Sequence, residues 1–136
     1  ILARRADADA LNPRAPRREV EAGDIIVQAG DTADSMHFIL DGRVGIMVPA
    51  DDDRTTRVRS LGRYTTIGEM GLVSNTPRSA TIKAEVDSVL YVLNMHQFDS
   101  IRDEDPALSH KLLTYFVSVM AERLTFANRT IAVLRR

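Results

Sequence analysis

The chain has 136 residues, 44% of them hydrophobic and 27% charged, with a formal net charge of −1. This length fits one domain, and the near-neutral charge argues against a surface built as a whole for nucleic acid or anionic lipid. The absence of cysteine excludes a disulfide framework, a cysteine-based zinc site and a thiol nucleophile. No run approaches the roughly 18 apolar residues of a membrane-spanning helix, so we expect no membrane insertion. Because the sequence begins with Ile and shows no signal segment, we expect a cytoplasmic domain cut from a larger parent protein.

Residues 1–19 are predicted to be a linker or part of an N-terminal helix. A short helix can extend to Leu11, but Pro13 and Pro16 break it. Five arginines fall in this segment, with no aromatic residue among them for base stacking. The pattern therefore favours a solvated linker over a nucleic-acid site.

From Val20 to about Leu93, short strand-like runs alternate with turn residues, including the hairpin dipeptide Asp41-Gly42. The predicted strands are Asp24–Val27, Met36–Leu40, Val44–Val48, Thr56–Leu61, Ala80–Val86 and Val89–Leu93. Asp51-Asp52-Asp53 is predicted as a hairpin tip, because it lacks the alternating oxygen ligands and later Glu of a calcium loop. Many short strands with Gly-rich turns indicate a sandwich or barrel.

After Leu93 the apolar period becomes helical. Asn94 is predicted to cap a short helix, and Asp105-Pro106 to begin a long one. The long helix carries one continuous apolar stripe, made of Leu108, Leu112, Phe116, Met120, Leu124, Ala127, Ile131 and Leu134. The first half of this stripe can close the barrel, whereas the far half is expected to meet a ligand or a partner, including a second copy in a homodimer.

The segment 67–81 carries the most informative chemistry. Gly68 and Gly71 let the backbone approach a ligand and leave amide groups free to point at an anion. Arg78 adds a planar cation suited to phosphate oxygens. Glu69 is acceptor-only when ionised, so it suits sugar hydroxyls. Together these groups predict a ligand with one phosphate and a free ribose hydroxyl.

This segment resembles the phosphate-binding cassette of cyclic-nucleotide-binding domains, in which Phe-Gly-Glu is followed, after a short gap, by Pro-Arg-x-Ala-(Thr/Ser). Gly68-Glu69 and Pro77-Arg78-Ser79-Ala80-Thr81 carry the pattern here. The resemblance covers roughly Val20 to Arg123 and implies a fold that is mainly β with C-terminal helices. In that fold an antiparallel jelly-roll β-barrel, about residues 20–93, precedes a short helix and a long lid helix, about residues 94–136.

The resemblance also implies the roles of single residues. Glu69 binds the ribose 2′-hydroxyl, and Arg78 pairs with the cyclic phosphate. The other expected ligand-binding residues, which act through backbone groups or the serine hydroxyl, are Gly68, Met70, Gly71, Leu72, Ser79 and Ala80. The ligand is cAMP or cGMP, with cAMP favoured by analogy to bacterial members of the family, and no other cofactor, metal or catalytic residue is expected.

Three residues depart from the family pattern. Ile67 stands where an aromatic residue is usual, Tyr64 where a glycine is usual, and Gly71 where an alanine is usual. None of these changes removes a charged ligand group. The alternative function is a barrel that has lost its ligand, in which Glu69 and Arg78 pair with neighbours and the domain serves as an interaction or structural module.

Other function classes receive less support. His37, His96 and His110 are isolated in sequence, unlike the clustered ligands of metal-dependent enzymes, so we expect no enzyme activity and ordinary surface or packing histidines. DNA binding would need a helix-turn-helix after the long helix, and the sequence given ends at Arg136. Residues 1–5 and 126–131 resemble tails of sulfate-permease-family anion transporters, so we expect a regulatory domain that signals through its last helix to an inner-membrane transporter.

Overall fold

The computed structural model describes residues 5–11, 14–49, 55–69, 74 and 76–134, which leaves the predicted hairpin tip at 51–53 outside the described residues. The helices of the described residues are α1 (Arg5–Leu11), α2 (Met95–Glu104) and α3 (Pro106–Leu134). The strands are β1 (Arg17–Val20), β2 (Ile25–Val27), β3 (Ser35–Asp41), β4 (Arg43–Pro49), β5 (Thr55–Gly62), β6 (Thr66–Ile67), β7 (Thr81–Ala84) and β8 (Ser88–Asn94). Within these ranges, no helix combines the length and hydropathy needed to cross a bilayer.

The eight strands form two antiparallel sheets, ordered β1-β8-β3-β6 and β2-β7-β4-β5. Two four-stranded sheets with this interleaved order make a jelly roll, in which the strands pair within each sheet and not around one continuous ring. The predicted class, mainly β with C-terminal helices, is confirmed. The sequence did not predict β6, which has only two residues.

Strand β3 separates two apolar clusters, because successive side chains of a strand point to opposite faces. Ile39 is fully buried between the two sheets, in a cluster with Val20, Ile26, Val44, Leu61, Ile67, Ile82, Ala84 and Leu90. Met36 and Phe38 point the other way, into a second cluster formed with α1, β8, α2 and α3. The helices therefore cover the outer face of the first sheet.

Described residues among the first 19, in 5–11 and 14–19, contribute to the fold. Leu11 ends α1 and is only 2% exposed within the helix-side cluster. Residues 17–19, assigned to the linker from the sequence, belong to β1 and pair with β8. Only Val20 of β1 is buried, so the charged sequence of this strand gives little apolar signal.

The two C-terminal helices begin where the sequence predicts. Asn94 caps α2 in a reciprocal box, since its side chain accepts from the Gln97 amide at 2.9 Å and the Gln97 side chain accepts from the Asn94 amide at 2.8 Å. The Asp105 carboxylate accepts from the Leu108 amide at 3.2 Å, and Pro106 begins α3. The N-terminal ends of both helices therefore have bonded backbone donors.

The predicted apolar stripe of α3 divides into two parts. Leu108, Leu112 and Phe116 are buried against the rest of the domain. In the far half, Leu124 is 63% exposed and Leu134 is 79% exposed. The first half of the helix therefore closes the core, and the second half extends beyond it.

Candidate functional site

A cavity of about 310 Å³ lies beside the end of β6 and the loop that leads into β7. Its apolar walls come from the strands, namely Val27, Ile46, Ile67 and Ile82, with Ala33 and the loop residues Thr76 and Pro77. Five of the predicted ligand-binding residues also line it: Gly68, Glu69, Arg78, Ser79 and Ala80. The predicted Met70, Gly71 and Leu72 lie outside the described residues.

Glu69 is the buried charged group of this cavity, with 1% of its surface exposed. Its Oε1 accepts a hydrogen bond from the Thr66 hydroxyl at 2.6 Å. Arg123 donates to it from two nitrogens, Nη1 to Oε2 at 2.6 Å and Nη2 to Oε1 at 3.3 Å. A forked contact of this kind is the strong form of an arginine–carboxylate pair, and it compensates the burial of the carboxylate.

Arg123 is the residue that the sequence reasoning missed. It lies on α3, 54 positions from Glu69 in the chain, and also lines the cavity. A signal was present, because Arg123 follows the buried Phe116 by seven residues and the buried Val119 by four. A lone arginine at core spacing on an amphipathic helix indicates a buried acidic partner.

Arg78 is half-buried at the rim of the same cavity. Its Nη2 donates to the Ser35 carbonyl at 2.7 Å and lies 3.3 Å from the Ser35 hydroxyl. Burial lowers the pKa of Arg78, while the carboxylates of Asp34 and Asp31 act in the opposite direction. Arginine starts from so high a pKa that the group remains a cation.

Gly68 has to be a glycine for Arg78 to occupy this place. Its φ is +75°, in the region that favours glycine. A Cβ at this position would collide with Nη1 of Arg78. The glycine therefore provides both the turn after β6 and the space for the guanidinium.

The backbone on either side of Arg78 is held by the turn after β2. The Arg78 amide donates to the Asp31 carbonyl, and the Gly30 amide donates to the Arg78 carbonyl, both at 2.8 Å. Ser79 follows on the exposed side of this loop, so its hydroxyl is open to a ligand or to water. These bonds fix the loop that carries the cation.

His37 is buried below this region, with 3% of its surface exposed and no hydrogen-bond partner for Nδ1 among the described residues. Burial, then the positive charges of Arg18 and Arg78, lower its pKa to about 4. His37 is therefore neutral at pH 7. His96 on α2 and His110 on α3 are exposed, and the described residues contain no group of three acidic or histidine side chains placed to hold a metal ion.

The cavity thus combines an acceptor, a cation, an exposed hydroxyl and apolar walls. This set can bind a small molecule that has an anionic group, a hydroxyl and an apolar face.

The family model for the cyclic nucleotide-binding domain matches residues 17–105. A cyclic nucleotide-gated potassium channel of Rhizobium etli is 34% identical over 76% of this chain and 26% of the channel. The cAMP-activated global transcriptional regulator Vfr of Pseudomonas aeruginosa is 29% identical over 93% of this chain and 59% of Vfr. The chain spans between 6% and 59% of the curated relatives that it matches.

Solved structures show the same fold. The catabolite activator protein of Thermus thermophilus superposes with a TM-score of 0.80 at 23% identity, over 95% of this chain and 59% of that one. Together with the match to the family model over most of the chain, these findings show that the chain belongs to the cyclic nucleotide-binding domain family.

Proposed function

We propose that this chain is a non-catalytic regulatory domain that binds a cyclic nucleotide in the cavity between Glu69 and Arg78, and that it prefers cAMP to cGMP. One observation carries the proposal: a single cavity brings together a buried acceptor and a half-buried cation around apolar walls. A cyclic nucleotide has the complementary groups, namely a ribose hydroxyl, an anionic phosphate and a purine face. The volume of 310 Å³ falls at the lower end of the range for small-molecule pockets.

Arg78 is proposed to bind the cyclic phosphate. Its guanidinium has five N–H donors, and within the described residues its contact to Ser35 uses one of its nitrogens. The free donors can form charge-assisted hydrogen bonds with phosphate oxygens. The Ser79 hydroxyl and backbone groups at Gly68 and Ala80 line the same wall, and the family resemblance adds Met70, Gly71 and Leu72.

Glu69 is proposed to accept the ribose 2′-hydroxyl. A carboxylate has about four lone-pair sites, and Glu69 uses three of them for Thr66 and Arg123. Among the described residues, these bonds leave one acceptor site for the ligand. The carboxylate can therefore bind the hydroxyl without losing the contacts that keep it in place.

The contact between Glu69 and Arg123 supplies a route for the signal. A ligand hydroxyl that bonds Glu69 acts on a carboxylate whose main partner belongs to α3. Nucleotide binding would then change the free energy of holding α3 against the cavity, as expected of a lid helix. This differential contact is what allows a ligand to shift a conformational equilibrium.

The finer assignments rest on analogy. The preference for cAMP follows the relative Vfr, whose name describes it as cAMP-activated. The effector is proposed to be another part of the parent protein, and the resemblance of the chain ends to sulfate-permease-family transporters points to an anion transporter in the inner membrane. The domain itself would lie in the cytoplasm and bind no nucleic acid.

The far half of α3 is proposed to form a homodimer. One face along α3 carries apolar residues at alternating spacings of four and three, namely Leu113, Val117, Met120, Leu124, Ala127, Ile131 and Leu134, and the last four lie in the far half. This is the heptad pattern of a coiled coil. Beyond the core, its large side chains Leu124, Ile131 and Leu134 are each at least 47% exposed. A Leu124→Lys/Ile131→Lys variant should have the mass of a 15.1 kDa monomer by light scattering, and wild type and a Thr125→Lys control twice that mass; a monomeric wild type would refute the dimer.

Isothermal titration calorimetry with cAMP and then cGMP tests the binding proposal. At roughly 0.3 kcal/mol per non-hydrogen atom, a ligand of about 22 such atoms should bind with a Kd near 10 μM. Arg78→Ala should weaken binding about 30-fold or more, because it removes the cationic partner of the phosphate. The matched control is Arg102→Ala, which removes an exposed arginine of α2 and should bind as wild type does. Unchanged affinity of Arg78→Ala would overturn the assignment.

A second candidate function is a ligand-free interaction module. It is favoured by one observation, that Glu69 and Arg78 both have partners within the protein, Arg123 for the first and Ser35 for the second. The absence of heat with either nucleotide at high protein concentration would support this module and refute the sensor.

A further inference from the structure

A small second cavity lies between α3 and residues of β5 and β6. Its volume is about 30 Å³, and its polar lining comes from Arg59, Thr65 and Thr66 on one side and from Tyr115, Glu122 and Arg123 of α3 on the other. A cavity needs roughly 10–15 Å³ and two to four polar partners to hold a water molecule. This one is large enough and polar enough for one water.

The Tyr115 hydroxyl is buried at this cavity next to Thr66. Tyr115 is 9% exposed, and its oxygen makes no hydrogen bond within the described part of the chain. Burial raises the Tyr115 pKa, and the Thr66 side chain and backbone, which lie close to the hydroxyl, oppose that rise as hydrogen-bonding groups, although neither contact has the geometry of a regular hydrogen bond. A buried hydroxyl with no partner is destabilising, so native proteins normally satisfy it, often with a water.

Thr66 connects this hydroxyl to the nucleotide cavity. Its own hydroxyl donates its single proton to Oε1 of Glu69 at 2.6 Å, which leaves its lone pairs open to a donor. A donor on that side strengthens the bond from Thr66 to Glu69, because hydrogen bonds in a chain polarise one another. Tyr115 is on the same helix as Arg123, eight residues earlier.

We infer that Tyr115 is a positioning residue for Glu69, acting through one ordered water in the small cavity and through the Thr66 hydroxyl. The carboxylate is then attached to α3 at two points, directly at Arg123 and indirectly at Tyr115. This role rests on the proposed function, because it concerns the residue that recognises the ribose hydroxyl.

The binding experiment compares cAMP with 2′-deoxy-cAMP, which lacks the hydroxyl that Glu69 would accept. Tyr115→Phe should weaken cAMP binding about three- to tenfold, the range for one hydrogen bond, and should change the affinity for the deoxy analogue less than twofold. Tyr64→Phe, which removes a half-buried tyrosine hydroxyl outside both cavities, should leave both affinities unchanged. Equal losses for the two ligands, or no loss for cAMP, would overturn the inference.

A second experiment needs no nucleotide and separates this inference from the binding proposal. In urea unfolding, Tyr115→Phe should lower the midpoint by about 0.5 M in the wild-type background. The same change should have little effect in a Thr66→Val background, where the link to Glu69 is absent, and its effect should return with Thr66→Ser. If wild type binds neither nucleotide, the proposed function fails, but the unfolding cycle still tests the link from Tyr115 to Glu69. Additive effects of Tyr115→Phe and Thr66→Val on the urea midpoint would refute that link.

Discussion

Glu69 and Arg78 carry opposite charges on one cavity, and the protein holds them in different ways. Glu69 is fully buried and has three hydrogen bonds, two of them from a helix that begins 37 positions later in the chain. Arg78 is half-buried and is held by the carbonyl and hydroxyl of Ser35. The acidic end of the cavity is therefore attached to α3, whereas the basic end is held by the turn after β2 and the first residue of β3.

This difference determines what a substitution at each end can reveal. A change at Glu69 alters the packing of α3 as well as any ligand contact, so a loss of binding there has two explanations. A change at Arg78 leaves the core and the helices in place, so a loss of binding reports on the ligand.

The largest effect is expected for Arg123→Met, which leaves the buried Glu69 carboxylate without its cation. The free energy of unfolding should fall by about 3 kcal/mol, the lower part of the range for breaking a buried ion pair, because Arg123 itself is 36% exposed and water can reach the site. Urea unfolding measures it. Arg102→Met, at an exposed ion pair of α2, should change stability by less than about 0.5 kcal/mol. Equal effects of the two variants would show that Glu69 is not held in the way described.

The residues of the candidate site that sequence patterns indicate are close together in the chain, whereas the residues that the patterns miss are distant. Gly68, Glu69 and the run from Pro77 to Ala80 were identified because they are close in sequence and their residue types suit a nucleotide. The contacts of Arg123 with Glu69 and of Ser35 with Arg78 join residues that are 54 and 43 positions apart. No local pattern encodes such pairs, since they depend on how α3 and β3 pack against the loop.

The same distinction between local and distant signals explains which strands and helices the sequence predicts. Most strands and both helix starts follow from alternation, turn residues and caps, which are short-range signals. β1 was missed because three of its four residues are charged and only Val20 is buried. β6 was missed because two residues are too few to show a period.

A second prediction concerns how the free energy of unfolding depends on pH through His37, which lies near Arg78 at the basic end. His37 has its pKa lowered to about 4 by burial and by the nearby Arg18 and Arg78, against about 6.5 in the unfolded chain. Between these values the unfolded state binds more protons, so stability rises with pH and is lost as the pH falls. The loss between pH 7 and pH 5 should be about 2 kcal/mol from this residue.

The measurement is urea unfolding at pH 7, 6 and 5, with His37→Gln as the comparison. The variant should lose about 2 kcal/mol less than wild type over this interval. Arg78→Ala should give an intermediate loss, because it removes one of the charges that lower the pKa. Parallel curves for wild type and His37→Gln would contradict the neutral, buried state of His37.

The smallest effect on stability is expected for Gly68→Ala, which should also affect ligand binding at the basic end of the cavity. The left-handed φ should cost about 1–2 kcal/mol for any residue with a Cβ. Gly23→Ala is the matched control, because Gly23 has φ of +92° and nothing within 4 Å of an added Cβ, so it should show the same loss of stability. Only Gly68→Ala moves the guanidinium of Arg78, and it should weaken cAMP binding about tenfold, or 1.4 kcal/mol, while Gly23→Ala leaves the affinity unchanged. Equal affinities for the two variants would mean that the observed position of Arg78 over Gly68 has no part in binding the phosphate, and the basic end would have to be sought elsewhere on the loop.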